Sequence, residues 1–172
     1  MNPDDLAAFR CARLLLLLDT AAADAPEGLD AERIGVYDFL AAHPLLLVRD
    51  DDDPDRMTLL MAGFDDRAVA YASAGQRLAT AQQRLARDLS VLVGEGLATV
   101  SAAGRMRYRL TPAGRTAAGA FTATYARSYR TAAQIIMRRL RRLSGRRLRD
   151  AVRRSLAAAP FHPAHISKDD GV

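Results

Sequence analysis

Between Gln76 and Gly114 the hydrophobic pattern of this chain changes period twice, and that segment limits the possible folds more than any other. Leu78, Leu85, Leu89 and Leu92 recur at the spacing of one helical face, and Gly94 and Gly96 stop the pattern. Leu97 to Val100 and Met106 to Leu110 then flank a turn centred on Ala103-Gly104, which predicts a β-hairpin. Thr111-Pro112-Ala113-Gly114-Arg115 begins the next helix, with Thr as N-cap and Pro at the first helical position.

Helix, hairpin, capped helix is the linear order of a winged-helix domain, a module that contacts DNA or protein and rarely does chemistry. The rest of the chain reads as helical. A first helix is expected from about Asp4 to Ala22, and a second, capped by Asp30, ends near His43-Pro44. Asp50 to Asp55 reads as a loop, and Met57 to Phe64 is too short to separate helix from strand. Phe121, Tyr125, Ser128, Ala132, Ile135, Ile136, Leu140 and Leu143 trace an apolar stripe on a helix of about 30 residues. Ser144-Gly145 interrupts it, and Leu148, Val152 and Leu156 continue on a shorter helix. The expected fold class is therefore mainly α: a winged-helix domain of helices plus one β-hairpin wing, with a long C-terminal helical extension. The expected divisions are a winged-helix domain with an acidic N-terminal half (1–116), a basic helical extension (117–159) and a flexible tail (160–172). A stripe that long extends past an ordinary winged-helix core and calls for a partner, such as a second copy.

Charge divides the chain in two. Met1 to Ala74 holds 6 Arg against 15 acids, and Gly75 to Val172 holds 19 basic residues against 5 acids. Such polarity suggests two contact surfaces, or one that complements itself in an oligomer. Nearly all the cations are Arg, which suits phosphate and interface ion pairs, although a compositional bias toward Arg and Ala would give the same count. No apolar run nears the roughly 20 residues of a membrane span, and the acidic MNPDD opening is unlike a secretory signal. A cytoplasmic location is the expectation.

Catalytic and metal-binding candidates are sparse. Cys11 is the only cysteine and sits among apolar helix neighbours, so no internal disulfide or multi-cysteine zinc site can form. His162 and His165 bracket a Pro in the tail, and His43 is expected to place its imidazole near helix C-terminal carbonyls. Asp50, Asp51, Asp52, Asp53 and Asp55 lack the alternation, central Gly and distal Glu of a calcium loop, so a solvated acidic loop is expected. Neither a Gly-rich phosphate loop nor a nucleophile elbow is present. No metal, cofactor or small-molecule substrate is expected.

Nucleic-acid contact has more support. Arg77, Thr80, Gln83, Arg84 and Arg87 are expected on the face opposite the leucines, the composition of a recognition helix. Arg105 and Arg107 stand where a wing reaches phosphate, with Arg109 following on the same strand. A denser cluster, Arg138, Arg139, Arg141, Arg142, Arg146 and Arg147, continues to Arg149, Arg153 and Arg154. It suits a nucleic-acid backbone or an acidic protein surface equally, and no aromatic interleaves it for base stacking.

Particular segments carry a family likeness. They are the opening helix FRCARLLLLLDTA, LDAERIGVYDFLAAHP (Leu29 to Pro44), QRLATAQQRLARDLSVLVGEGL, a Gly-centred hairpin ending YRLT, and the Ser128-Tyr129 pair. From Arg10 to about Leu143 the chain resembles the small middle component of bacterial ABC three-component conflict systems. That class includes the C subunit of Lamassu-type anti-phage defence. The Asp-rich loop and the Arg-dense segment after Leu143 depart from the shared pattern. The resemblance implies a non-catalytic winged-helix adaptor subunit, without cofactor or catalytic residues. Its implied partners are an SMC-like ABC ATPase that senses DNA and an effector, often a nuclease, held inactive until infection. Double-stranded DNA as a direct contact is expected from the arginine-bearing faces above, not from the resemblance. LTPAGR is also similar to free-standing dimeric winged-helix transcription regulators of the MarR or PadR kind, and that alternative stays open.

Overall fold

The computed structural model describes residues 6–65, 73–102 and 104–157. It is mainly helical, with a small antiparallel sheet. In chain order the elements are α1 (Ala7–Ala21), β1 (Leu29–Asp30), α2 (Ala31–Ala42), a short 3-10 turn (Pro44–Leu46), α3 (Pro54–Met61), α4 (Ala74–Gly94), β2 (Ala98–Ser101), β3 (Arg107–Leu110), α5 (Pro112–Gly119), α6 (Thr124–Leu140) and α7 (Gly145–Ala157).

Leu14 to Leu18 are buried without exception, because α1 is packed by α2, α4, α5 and α6 and has no solvent face to spare. Asp30 caps α2 by accepting from the Arg33 N–H, and Thr111 caps α5 by accepting from the Gly114 N–H, with Pro112 at the first helical position. The predicted hairpin is present, pairing Ala98 with Leu110 and Ser101 with Arg107. A third strand joins it: Leu29 pairs with Tyr108 and Asp30 with Arg107, so the spatial order is β1-β3-β2. Gly28 makes that pairing possible. Its φ of +94° is in the left-handed region, and a Cβ there would lie 2.4 Å from the Tyr108 carbonyl oxygen.

Three expectations change. Pro54 and Asp55 belong to α3 rather than to the preceding loop, because Asp53 accepts from the Asp55 N–H and starts the helix. The 30-residue helix is two helices, with a break between Gly119 and Thr124. Much of its stripe is covered within the chain: Ala132, Ile135, Ile136 and Leu140 are buried on α6, which packs on α1 and α2, whereas Tyr125 stays exposed and Phe121, Ser128 and Leu143 are half-buried. The described part of that segment, 117–157, thus packs into one core with the residues before it. Asp4, the expected start of the first helix, and the tail histidines His162 and His165 lie outside the described residues.

Two ion pairs reach into the core, Arg10 with the buried Asp88 and Arg13 with Asp38. Arg13 of α1 donates twice to Asp38 of α2, at 3.0 and 2.5 Å, and the Tyr129 hydroxyl of α6 donates to the same carboxylate at 2.7 Å. Burial opposes the Arg13 charge, but Asp38 outweighs it and holds the guanidinium ionised well above its usual range. Burial and the Asp38 charge push the Tyr129 hydroxyl well above the ordinary phenol range, so it remains a donor. The three central helices are thereby joined at a single carboxylate.

Candidate functional site

Charge pairing decides which cations can meet a partner. The acidic and basic halves of the sequence face each other inside the fold. Arg139 donates to Asp53 at 2.6 and 2.7 Å and to Asp55 at 2.8 and 2.5 Å, while Arg138 reaches Asp55 at 2.5 Å. Arg141 meets Asp24 at 3.2 Å, Arg149 meets Glu32 at 2.9 Å, and Arg10 forks onto Asp88 at 2.7 and 2.9 Å. Part of the polarity along the chain is therefore answered within one chain, by Arg107, Arg138, Arg139, Arg141 and Arg149 against acids of the first half. Hydrogen bonds from Arg139 hold the Asp53 carboxyl below its ordinary range. Burial pushes Asp55 up, but Arg138 and Arg139 outweigh it and hold that carboxyl down too.

On α4 the predicted recognition residues divide. Gln83 and Arg87 are exposed. Arg77, Thr80 and Arg84 are half-buried, and they border a cleft of about 250 Å³ together with Arg10, Phe39 and His43 of the neighbouring helices. These three therefore flank the leucine face rather than oppose it, because α1 and α2 wrap past the leucines on that side. At the hairpin Arg105 is exposed as predicted. Arg107 instead turns toward β1, donating to Glu27 at 3.1 Å and to the Gly28 carbonyl at 3.3 Å.

Within the denser cluster, Arg138, Arg139 and Arg141 hold carboxylates of the same chain, whereas Arg142, Arg146 and Arg147 are exposed. Arg146 lies 3.9 Å from Asp150 in its own helix. Among the described residues Arg142, Arg147 and Arg154 have no carboxylate within ion-pair distance. Comparison with known proteins adds no further guide. No family model, curated protein or solved structure matches this chain.

The Asp-rich loop is only partly solvated, since Asp53 and Asp55 are held by Arg139 and Arg138, while Asp50, Asp51 and Asp52 stay exposed. No group of three residues suited to a metal ion occurs among the described residues. His43 is buried at the end of α2 with Nδ1 3.0 Å from the Phe39 carbonyl, as its position before Pro44 predicts. Cys11 is half-buried, with Sγ 3.9 Å from the Asp88 carbonyl, and burial pushes its thiol up, away from the thiolate a nucleophile needs. No described helix is long and apolar enough to cross a membrane.

One surface escaped the sequence reading. On α3, Met57, Leu60 and Met61 stand at positions i, i+3 and i+4, and all face solvent, Met61 at 83%. Leu59 alone of the helix is buried. The signal was present in MTLLMAGF, but deciding its outward face requires knowing that α6 and the 3-10 turn cover only the Leu59 side.

Proposed function

We propose that this chain is a non-catalytic adaptor built on a winged helix, which joins an SMC-like ABC ATPase to an effector, a nuclease by the family resemblance, in an anti-phage defence complex. Support for the winged helix comes from the order α1-β1-α2-α4-β2-β3 with sheet order β1-β3-β2. In that arrangement α4 takes the recognition position and β2–β3 forms the wing, while α3 is an insertion between α2 and α4.

The adaptor reading rests chiefly on the exposed Met57-Leu60-Met61 stripe. A short helix that directs its largest apolar side chains into water is the signature of a protein contact. Exposed Asp50, Asp51 and Asp52 precede it, so the fitting partner surface is apolar with a basic rim. Affinity purification of the tagged chain, expressed with its neighbouring genes, tests this. Co-purification of a large ABC-type ATPase with wild type, lost with Met57→Glu/Met61→Glu, is the expected result. Retention of that ATPase by the double variant would remove α3 from the interface.

A free-standing regulator draws on exposed Gln83, Arg87 and Arg105. It would predict that Arg84→Glu with Arg87→Glu abolishes binding to a sequence-selected duplex, each lost bidentate contact costing roughly 1–3 kcal/mol. The inward placement of Arg77 and Arg84 and the Arg107–Glu27 pair leave few cations for that task.

A further inference from the structure

We propose that the outward face of α7, with Arg142 in the turn before it, binds the phosphate backbone of a nucleic-acid duplex without sequence preference. The inference does not depend on the adaptor reading.

The amphipathic pattern of α7 fixes which side is available. Leu148, Ala151, Val152 and Ser155 are buried against the body, where Val152 and Leu156 approach Val36 of α2 and Leu78 of α4. Arg146, Arg147, Arg153 and Arg154 are left facing water. Arg147 and Arg154 are two helical turns apart on one side, as are Arg146 and Arg153, which sets each pair about 10 Å apart along the axis. Asp150 is the only acid on α7, receiving Arg153 at 3.1 Å and lying 3.9 Å from Arg146. Arg149 leaves the set by bonding Glu32. What remains is a ridge of cations with one carboxylate in it, on a rigid helix.

The chemistry of the ridge selects its ligand. Protein interfaces place an apolar or aromatic centre inside a polar rim, and the outward face of α7 has no apolar residue larger than Ala157 among its arginines. Phosphate binding gains its free energy from counterion release and guanidinium forks, so it needs no apolar centre. Absence of an aromatic side chain among these arginines denies single strands their stacking platform, which favours a duplex.

Fluorescence anisotropy with the full chain and a labelled random-sequence duplex of about 20 base pairs, over about 50 to 300 mM KCl, tests the proposal. Wild type should bind at low salt, with affinity falling linearly on a log–log plot. Arg147→Gln/Arg154→Gln should lower low-salt affinity about tenfold and make the slope shallower by about 2, close to one unit per phosphate contact. Adding Arg142→Gln should deepen both effects. Arg115→Gln/Arg127→Gln, which removes equal exposed charge elsewhere, should leave affinity within about twofold. All five sites are exposed, so circular dichroism melts should coincide. No duplex binding at low salt, or an equal loss in the Arg115/Arg127 pair, overturns the proposal. So does loss of binding only in Arg84→Gln/Arg87→Gln/Arg105→Gln, or polyglutamate binding as tightly as the duplex.

Discussion

Arg13, Asp38 and Tyr129 show what individual residues do that no periodicity records. Removing one member of a buried pair leaves the other charge without compensation. Arg13→Met should therefore destabilise the chain by about 3–5 kcal/mol in urea unfolding, whereas Arg13→Met/Asp38→Leu should recover a substantial part. Little recovery in the double variant would mean that the carboxylate's bond to Tyr129 matters more than the ion pair. Gly114 acts by having no side chain. A Cβ there would stand 1.9 Å from the Leu97 carbonyl oxygen, so α5 can seat on the start of the hairpin only with glycine in place. Gly114→Ala should cost about 3 kcal/mol, the upper end of overpacking, while Ala113→Gly, at an exposed neighbour, costs about 1 kcal/mol or less.

Elements explain where sequence reading succeeded and where it stopped. Boundaries with a local chemical cause were legible: Thr111-Pro112 starts α5, Asp30 starts α2, and the leucines of α4 lie on its buried face. β1 was not, because two residues carry no alternation and exist as strand only by pairing with β3. The α6 stripe was read correctly as apolar but assigned to an external partner, since a sequence cannot show that α1 and α2 already cover much of it. For the same reason Arg77 and Arg84 could not be told from Gln83 and Arg87. The α3 to α6 connection through Asp53, Asp55, Arg138 and Arg139 makes a prediction in pH. Both carboxyls are held below their ordinary range when folded, so their contribution is complete above the unfolded-state value of about 4. It is lost as pH falls through the lower folded values. Stability measured by denaturant should hold level from about pH 7 to 5 and fall below about pH 4, and Arg139→Gln should start lower and fall less steeply. Parallel profiles would show that other acids control the acid limb.

At the scale of the molecule, the fold brings part of the acidic half against part of the basic half, through pairs such as Arg139 with Asp53 and Asp55, Arg141 with Asp24 and Arg149 with Glu32. Two surfaces are left over with different chemistry, the apolar α3 stripe bordered by exposed acids and the arginine ridge of α7. Separated surfaces of unlike chemistry fit a subunit that holds two partners better than one that reads an operator as a symmetric dimer. The most direct test is native mass spectrometry of the tagged chain purified with its neighbours, wild type beside Met57→Glu/Met61→Glu. The account predicts a stable assembly containing a large ABC-type ATPase for wild type, and the intact but solitary chain for the double variant. A lone wild-type dimer that shifts one specific duplex, and is unaffected by the α3 changes, would contradict it.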